Sequence, residues 1–200
     1  MRVNGADSLS PFVWLADGIG ALRTRLSSPT RAFPPRQVES LVFDLTTSEL
    51  CGIALGSGVE RMRSLGKADL YAGSGELVEL HYRALGLQVH LYRGALESFE
   101  VVFQAALSPA AGRGKLRDTS LELRVTPTKT LQLSSNTHET AVLDALGRPH
   151  DKAMIVDLSW CAFRIGAVDI FTYSEPESRK LVDIDVSIAG DDGRDRSPAA

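Results

Sequence analysis

The residues of this chain that could do chemistry are few: four histidines, two cysteines and scattered carboxylates among 200 residues. Cys51 with His81, His90, His138 or His150 would make a nucleophile and its base, because an imidazole within hydrogen-bond reach turns a thiol into a thiolate. No local motif surrounds Cys51, and a small buried thiol is the simpler expectation for it and for Cys161, which follows Trp160 in a strand. His81 and His90 fall where the two arms of a hairpin would share a face, but two imidazoles without a third ligand give little support to a metal site. Asp183 and Asp185, near Asp169, could hold calcium, although alternating aspartates are more simply the wet side of a strand. Gly112-Arg113-Gly114-Lys115 lacks the GxxxxGK[ST] spacing and the preceding buried strand of a phosphate loop. The expectation is no catalytic residue, no metal and no cofactor.

What remains is a surface. Strand alternation sends Glu79, His81, Gln88, His90 and Tyr92 to one side of a hairpin and Leu80 and Val89 to the other. With Tyr173 later in the chain, these residues mix aromatic rings with ionisable groups, the composition that protein interfaces use. They are the candidate binding residues of a non-catalytic protein-binding module whose partner the sequence does not identify. A small-ligand binder or sensor with a pocket between the two halves is the alternative, and an enzyme the third class.

Composition bounds these options. A 44% hydrophobic content over 200 residues can bury a substantial core. The net charge of -3 argues against a general nucleic-acid binder, which would show a clustered basic excess. Two cysteines are too few for a disulfide framework. No apolar run approaches the roughly 20 residues of a membrane helix. An early apolar patch is flanked by Asp7 and Asp17 and has no cleavage site after it, unlike an export signal. A cytoplasmic protein with neither nucleic-acid nor membrane partners is expected.

The elements that would position the surface are punctuated clearly. Ser10-Pro11 caps an amphipathic helix with Phe12, Leu15, Ile19, Leu22 and Leu26 on one face. Ser27-Ser28-Pro29 stops it, and Pro29 to Pro35 makes a stiff linker. Arg23, Arg25, Arg31 and Arg36 make this region locally basic. Further on, Leu77 to Tyr82 (LVELHY) returns 78 positions later as Ile155 to Trp160 (IVDLSW), and flanking segments match in the same order, which predicts a duplicated unit. Ser57 to Glu60 and Asn136 to Glu139 have the spacing of capping boxes, each opening a short helix closed by Gly66 or Gly147. Three alternating strands then follow in each copy: 77–82, 87–92 and 99–103, and 155–160, 168–173 and 181–188.

The predicted fold is α+β: two tandem repeats of a short helix followed by a three-stranded antiparallel meander, preceded by the N-terminal amphipathic helix. The boundaries are 1–37 for the helix and proline-rich linker, 38–107 for the first repeat, 108–119 for a linker, 120–189 for the second repeat, and 190–200 for a disordered tail. Through Gly52 to Asp69 and Ser135 to His150, with the strands behind them, the pattern resembles the units of the secreted β-lactamase inhibitor protein and of the outer-membrane assembly lipoprotein BamE. In the first a repeated unit binds another protein through its sheet; in the second a single unit serves complex assembly. The resemblance therefore implies an inhibitor-like binding role, and cytosolic bacterial immunity proteins offer a comparable small α+β plan.

Overall fold

The computed structural model describes residues 28–74, 76–104, 119–155 and 157–190. The predicted N-terminal helix, nearly all of the 108–119 linker and the tail beyond residue 190 lie outside the described residues.

Among the described residues the first elements are three short strands, β1 (Leu41–Asp44), β2 (Glu49–Leu50) and β3 (Ile53–Ala54), and a 3-10 helix at Val59–Leu65. Four longer strands follow: β4 (Leu70–Ser74), β5 (Leu77–Tyr82), β6 (Leu87–Tyr92) and β7 (Ala95–Val102). After the linker come β8 (Ser120–Thr126), β9 (Lys129–Ser134) and the helix α1 (Glu139–Leu146). The chain continues as β10 (Asp151–Ile155), β11 (Leu158–Ile165), β12 (Val168–Ser174) and β13 (Leu181–Ile188).

The strands form a five-stranded sheet, ordered β3-β2-β1-β8-β9, and an eight-stranded sheet, ordered β10-β11-β12-β13-β7-β6-β5-β4. The large sheet is antiparallel throughout, and β7 and β13 meet at its centre with Phe99 opposite Val186 and Val101 opposite Ile184. In the small sheet β1 and β8 pair in parallel, Leu41 beside Leu121 and Phe43 beside Leu123. One core lies between the sheets: Phe43 and Leu123 from the small sheet, Leu80, Val89, Phe99 and Ile184 from the large one. Phe43 and Phe99 meet edge to face at 5.0 Å, a favoured aromatic geometry.

Turn chemistry fixes the registers. Arg93 and Gly94 both have positive φ (51° and 79°), the two-residue hairpin turn whose twist matches that of the flanking strands. Gly86 closes the 3-10 turn Arg83–Leu85 between β5 and β6 in the left-handed region, at φ 61° and ψ 24°.

Several expectations need correction. The protein is mostly β, with 52% strand and 12% helix among the described residues, and it is not an α+β array of helix-plus-meander repeats. The match that suggested duplication fails in three dimensions: Leu77 to Tyr82 is one strand, whereas Ile155 to Trp160 straddles the turn between β10 and β11. Leu80 is fully buried in mid-strand, but Leu158 opens β11 and is only half-buried. The missed strands β4 and β10 extend each meander to four strands, and the meanders merge into one sheet because β7 and β13 share hydrogen bonds. Neither capping box forms as expected. Gly58 precedes the 3-10 helix with no side-chain cap, and the cap of α1 is His138, whose Nδ1 accepts from Thr140 N at 3.3 Å. The individual strands at 77–82, 87–92 and 181–188 lie where the alternation placed them.

Candidate functional site

The six candidate residues share one face of the eight-stranded sheet, the face turned away from the core. Register shows this directly. His81 stands opposite Gln88, which stands opposite Glu100; Glu100 in turn faces Asp185, and Asp185 faces Phe171. A parallel row runs Glu79, His90, Ser98, Ser187, Asp169 and Arg164. A third runs Val102, Asp183, Tyr173 and Trp160. Directly opposed side chains in antiparallel pairs are within contact distance, so the rows are physical neighbours.

The face divides into two areas. On the β5–β6 wing, Glu79 Oε2 lies 3.6 Å from His81 Nε2 on the same strand. His90 is held at both ring nitrogens: Gln88 Nε2 is 2.8 Å from its Nε2, and Ser98 Oγ is 3.0 Å from its Nδ1. An amide NH2 can only donate, so Gln88 donates to Nε2 and the ring proton sits on Nδ1, donating to Ser98. Gln88 and Ser98 are buried, which makes His90 part of a fixed network. Tyr92, at the end of β6, has the Arg93 guanidinium 5.1 Å from its ring centre, a cation–π distance.

At the sheet centre the character changes. Glu100, Asp183 and Asp185 converge around Tyr173; burial and then the charges of Asp185, Asp183 and Glu100 push the Tyr173 phenol well above its ordinary range. Asp183 is only 3% exposed. Beyond them Trp160 and Phe171 pack at 6.0 Å, and Arg164 grips Asp169 with Nε and Nη2 at 2.7 and 3.1 Å. Trp160, Phe171, Glu100 and Ser187 were missed from the sequence. Alternation gave the outward side of each strand, but only the β7–β13 and β11–β12–β13 registers reveal that these residues join Tyr173.

The other reactive groups lie elsewhere. Cys51 Sγ is 3.8 Å from the Ser40 carbonyl, and burial raises its thiol pKa. Cys161 is buried, 3.6 Å from Glu139 Oε1, and burial first and then the Glu139 charge raise its thiol pKa, the opposite of what a nucleophile needs. Glu139, at the first turn of α1, accepts from Lys152 Nζ and from Arg179 Nε. Among the described residues there is no group of three or more His, Cys, Asp or Glu able to hold a metal ion. No helix among them is long and apolar enough to cross a membrane.

No family model and no curated protein matches the chain. Among solved structures it is similar to a DUF4309 family protein from Bacillus subtilis, at 7% identity and a TM-score of 0.42, covering 84% of this chain and 96% of that one. It is also similar to a cysteine-rich secretory protein from Staphylococcus aureus, at 14% identity and a TM-score of 0.43, covering 74% of this chain and 51% of that one. At such scores neither likeness bears on function. The resemblance to the β-lactamase inhibitor protein and to BamE is corrected along with the fold class, since two large sheets replace the helix-plus-meander units that carried it.

Proposed function

We propose that the protein is a non-catalytic binding module that engages another protein through the outer face of its eight-stranded sheet. The observation that carries this is the registry that gathers Glu79, His81, Gln88, His90, Tyr92 and Tyr173 onto one face. Aromatic rings set among ionisable groups can hold a partner while remaining compatible with water. Carboxylates outnumber cations on this face, which suits a polypeptide partner and opposes a polyanionic nucleic acid. Both cysteines are free thiols, and a reducing compartment, the cytoplasm, is the setting we propose.

The test is affinity capture of the partner from native lysate, comparing wild type with a Glu79→Ala/Tyr92→Ala double variant. Both positions are half-buried rather than core, Glu79 beside His81 and Tyr92 beside Arg93, so the fold should survive. His90 is a poorer choice because its two hydrogen bonds hold buried neighbours. A protein retained by the wild type and lost by the variant, at an unchanged thermal midpoint, is the expected outcome. Equal capture by both would remove this face from consideration.

A further inference from the structure

Among the described residues four strands end the two sheets, and three of them are guarded. β3 is only two residues long. β9 lies beside α1, whose last carbonyls, those of Asp144 and Ala145, accept from Lys129 Nζ at 2.8 and 2.9 Å. β4 keeps Leu70 and Tyr71 half-buried and leaves ordinary strand geometry at Gly73, whose φ is +108°. The fourth, β10, has none of these protections. Among the described strands it hydrogen-bonds β11 alone, in five successive pairs without a bulge. Asp151, Lys152, Ala153 and Met154 are all exposed, Met154 to 59%. Its one cation is drawn aside: Lys152 Nζ donates to Glu139 Oε1 at 2.5 Å, whereas a lysine that guards an edge stands free along it. We propose that this edge pairs antiparallel with β10 of a second copy of the chain, joining the two eight-stranded sheets into one. This goes beyond the partner-binding reading and does not depend on it.

The occupant follows from the strand's own register. Directly opposed residues of an antiparallel pair share a face, so a strand that meets its copy about a two-fold axis places one residue opposite itself. Centring on Asp151 or Lys152 opposes like charges, which destabilises a strand pair. Centring on Met154 or Ile155 carries the pairing past the end of the strand. Ala153 is the one centre that pairs all five residues: Lys152 stands opposite Met154 of the second copy and Asp151 opposite Ile155 of the second copy, and no like charges meet. A small side chain sits at the axis, where the two strands approach closely. The lysine stem can lie along the thioether while its ammonium stays with Glu139. Every second residue of an edge strand turns its N–H and C=O away from the sheet, and the pairing gives those groups partners.

The dimer has a consequence for the outer face. Ala153 stands opposite Trp160, and Trp160 opposite Tyr173. A two-fold axis perpendicular to the sheet keeps both outer faces on one side, so two candidate faces lie next to each other. A five-residue strand pair covers less than the roughly 1,000 Å² expected of a lasting interface, so the dimer is reversible, with a Kd in the micromolar range.

Sedimentation velocity of the full chain from roughly 1 to 300 μM, bracketing that weak range, tests the proposal. The wild type should shift from monomer to dimer across the series. Met154→Lys, which sets an ammonium opposite Lys152 of the second copy, should raise the Kd at least tenfold, and Met154→Glu, which sets a carboxylate there, should leave it within about threefold. Position 154 is exposed, so both variants keep the fold. Under mild oxidation Ala153→Cys should form a covalent dimer rapidly, since its thiol meets itself at the axis, and Asp151→Cys should not. A monomer at every concentration would overturn the proposal, as would a dimer that Met154→Lys leaves intact. Equal loss of the dimer in Met154→Lys and Met154→Glu would show a plain apolar contact and reject the strand pairing, and crosslinking of Asp151→Cys as fast as Ala153→Cys would reject the register. Capture of a partner by the outer face is read separately from sedimentation, so the two ideas fail independently.

Discussion

Replacing Glu139 by glutamine should destabilise the protein by about 2 to 4 kcal/mol at neutral pH, and the loss should shrink in acid. The carboxylate is 2% exposed and ties three parts of the chain together at the start of α1. Lys152 from β10 and Arg179 from the β12–β13 connection both donate to it, and its own backbone N–H donates to the Arg179 carbonyl at 2.8 Å. Hydrogen bonds to charged groups contribute about 1.5 to 3 kcal/mol each. Removing one partner of a fully buried pair costs about 3 to 5 kcal/mol. Here the cations are 43% and 48% exposed and can turn to water, which keeps the expected loss below the sum. Burial by itself would raise the Glu139 pKa, but the Lys152 and Arg179 hydrogen bonds and charges outweigh it and hold the group below the ordinary value of 4.5. A pKa depressed on folding adds stability above the unfolded value, and that stability disappears as pH falls through the folded value. Urea denaturation at pH 7 and again near pH 3 measures it: the gap between wild type and Glu139→Gln should be wide at the first and narrow at the second. A gap equal at both, or under about 0.5 kcal/mol at pH 7, would refute the assigned role of the ion pairs.

Three further outcomes follow from the packing. Leu80→Ala should cost about 2 to 5 kcal/mol because the side chain is 0% exposed in the inter-sheet core, whereas Leu158→Ala, at the half-buried start of β11, should cost about 1 kcal/mol or less; chemical denaturation of the pair separates them. Gly86→Ala should lose about 1 to 3 kcal/mol or fail to fold, since φ is +61° and a new Cβ would collide with Thr119 Oγ1 and stand 2.8 Å from the Val102 carbonyl. Glu79→Ala/Tyr92→Ala should leave the thermal midpoint nearly unchanged, because partly exposed pairs such as Glu79–His81 contribute about 0 to 1 kcal/mol.

How much of this was legible in the sequence depends on the range of the interaction concerned. Val182, Ile184 and Val186 alternate with Asp183 and Asp185, and that local pattern placed β13 correctly because a sheet with one buried face imposes a period of two. The same pattern put Glu79, His81, Gln88, His90 and Tyr92 on the outer side. It could not distinguish Ile155 to Trp160 as one strand from the ends of two, since β10 ends at Ile155 and β11 begins at Leu158 with no glycine or proline between them. Nor could it supply the pairing of β7 with β13, whose facing residues Glu100 and Asp185 are 85 positions apart, or the parallel pairing of β1 with β8 across the linker. Those two long-range pairings decide the architecture, and the first also decides the site. Shifting β13 by one residue against β7 would send Asp183 and Asp185 into the core and Ile184 and Val186 to the outer face. The apolar side of β13, packed with Phe99 and Val101 against Phe43, is therefore what brings three carboxylates together around Tyr173, and the acidity of the outer face is a consequence of how the core is filled.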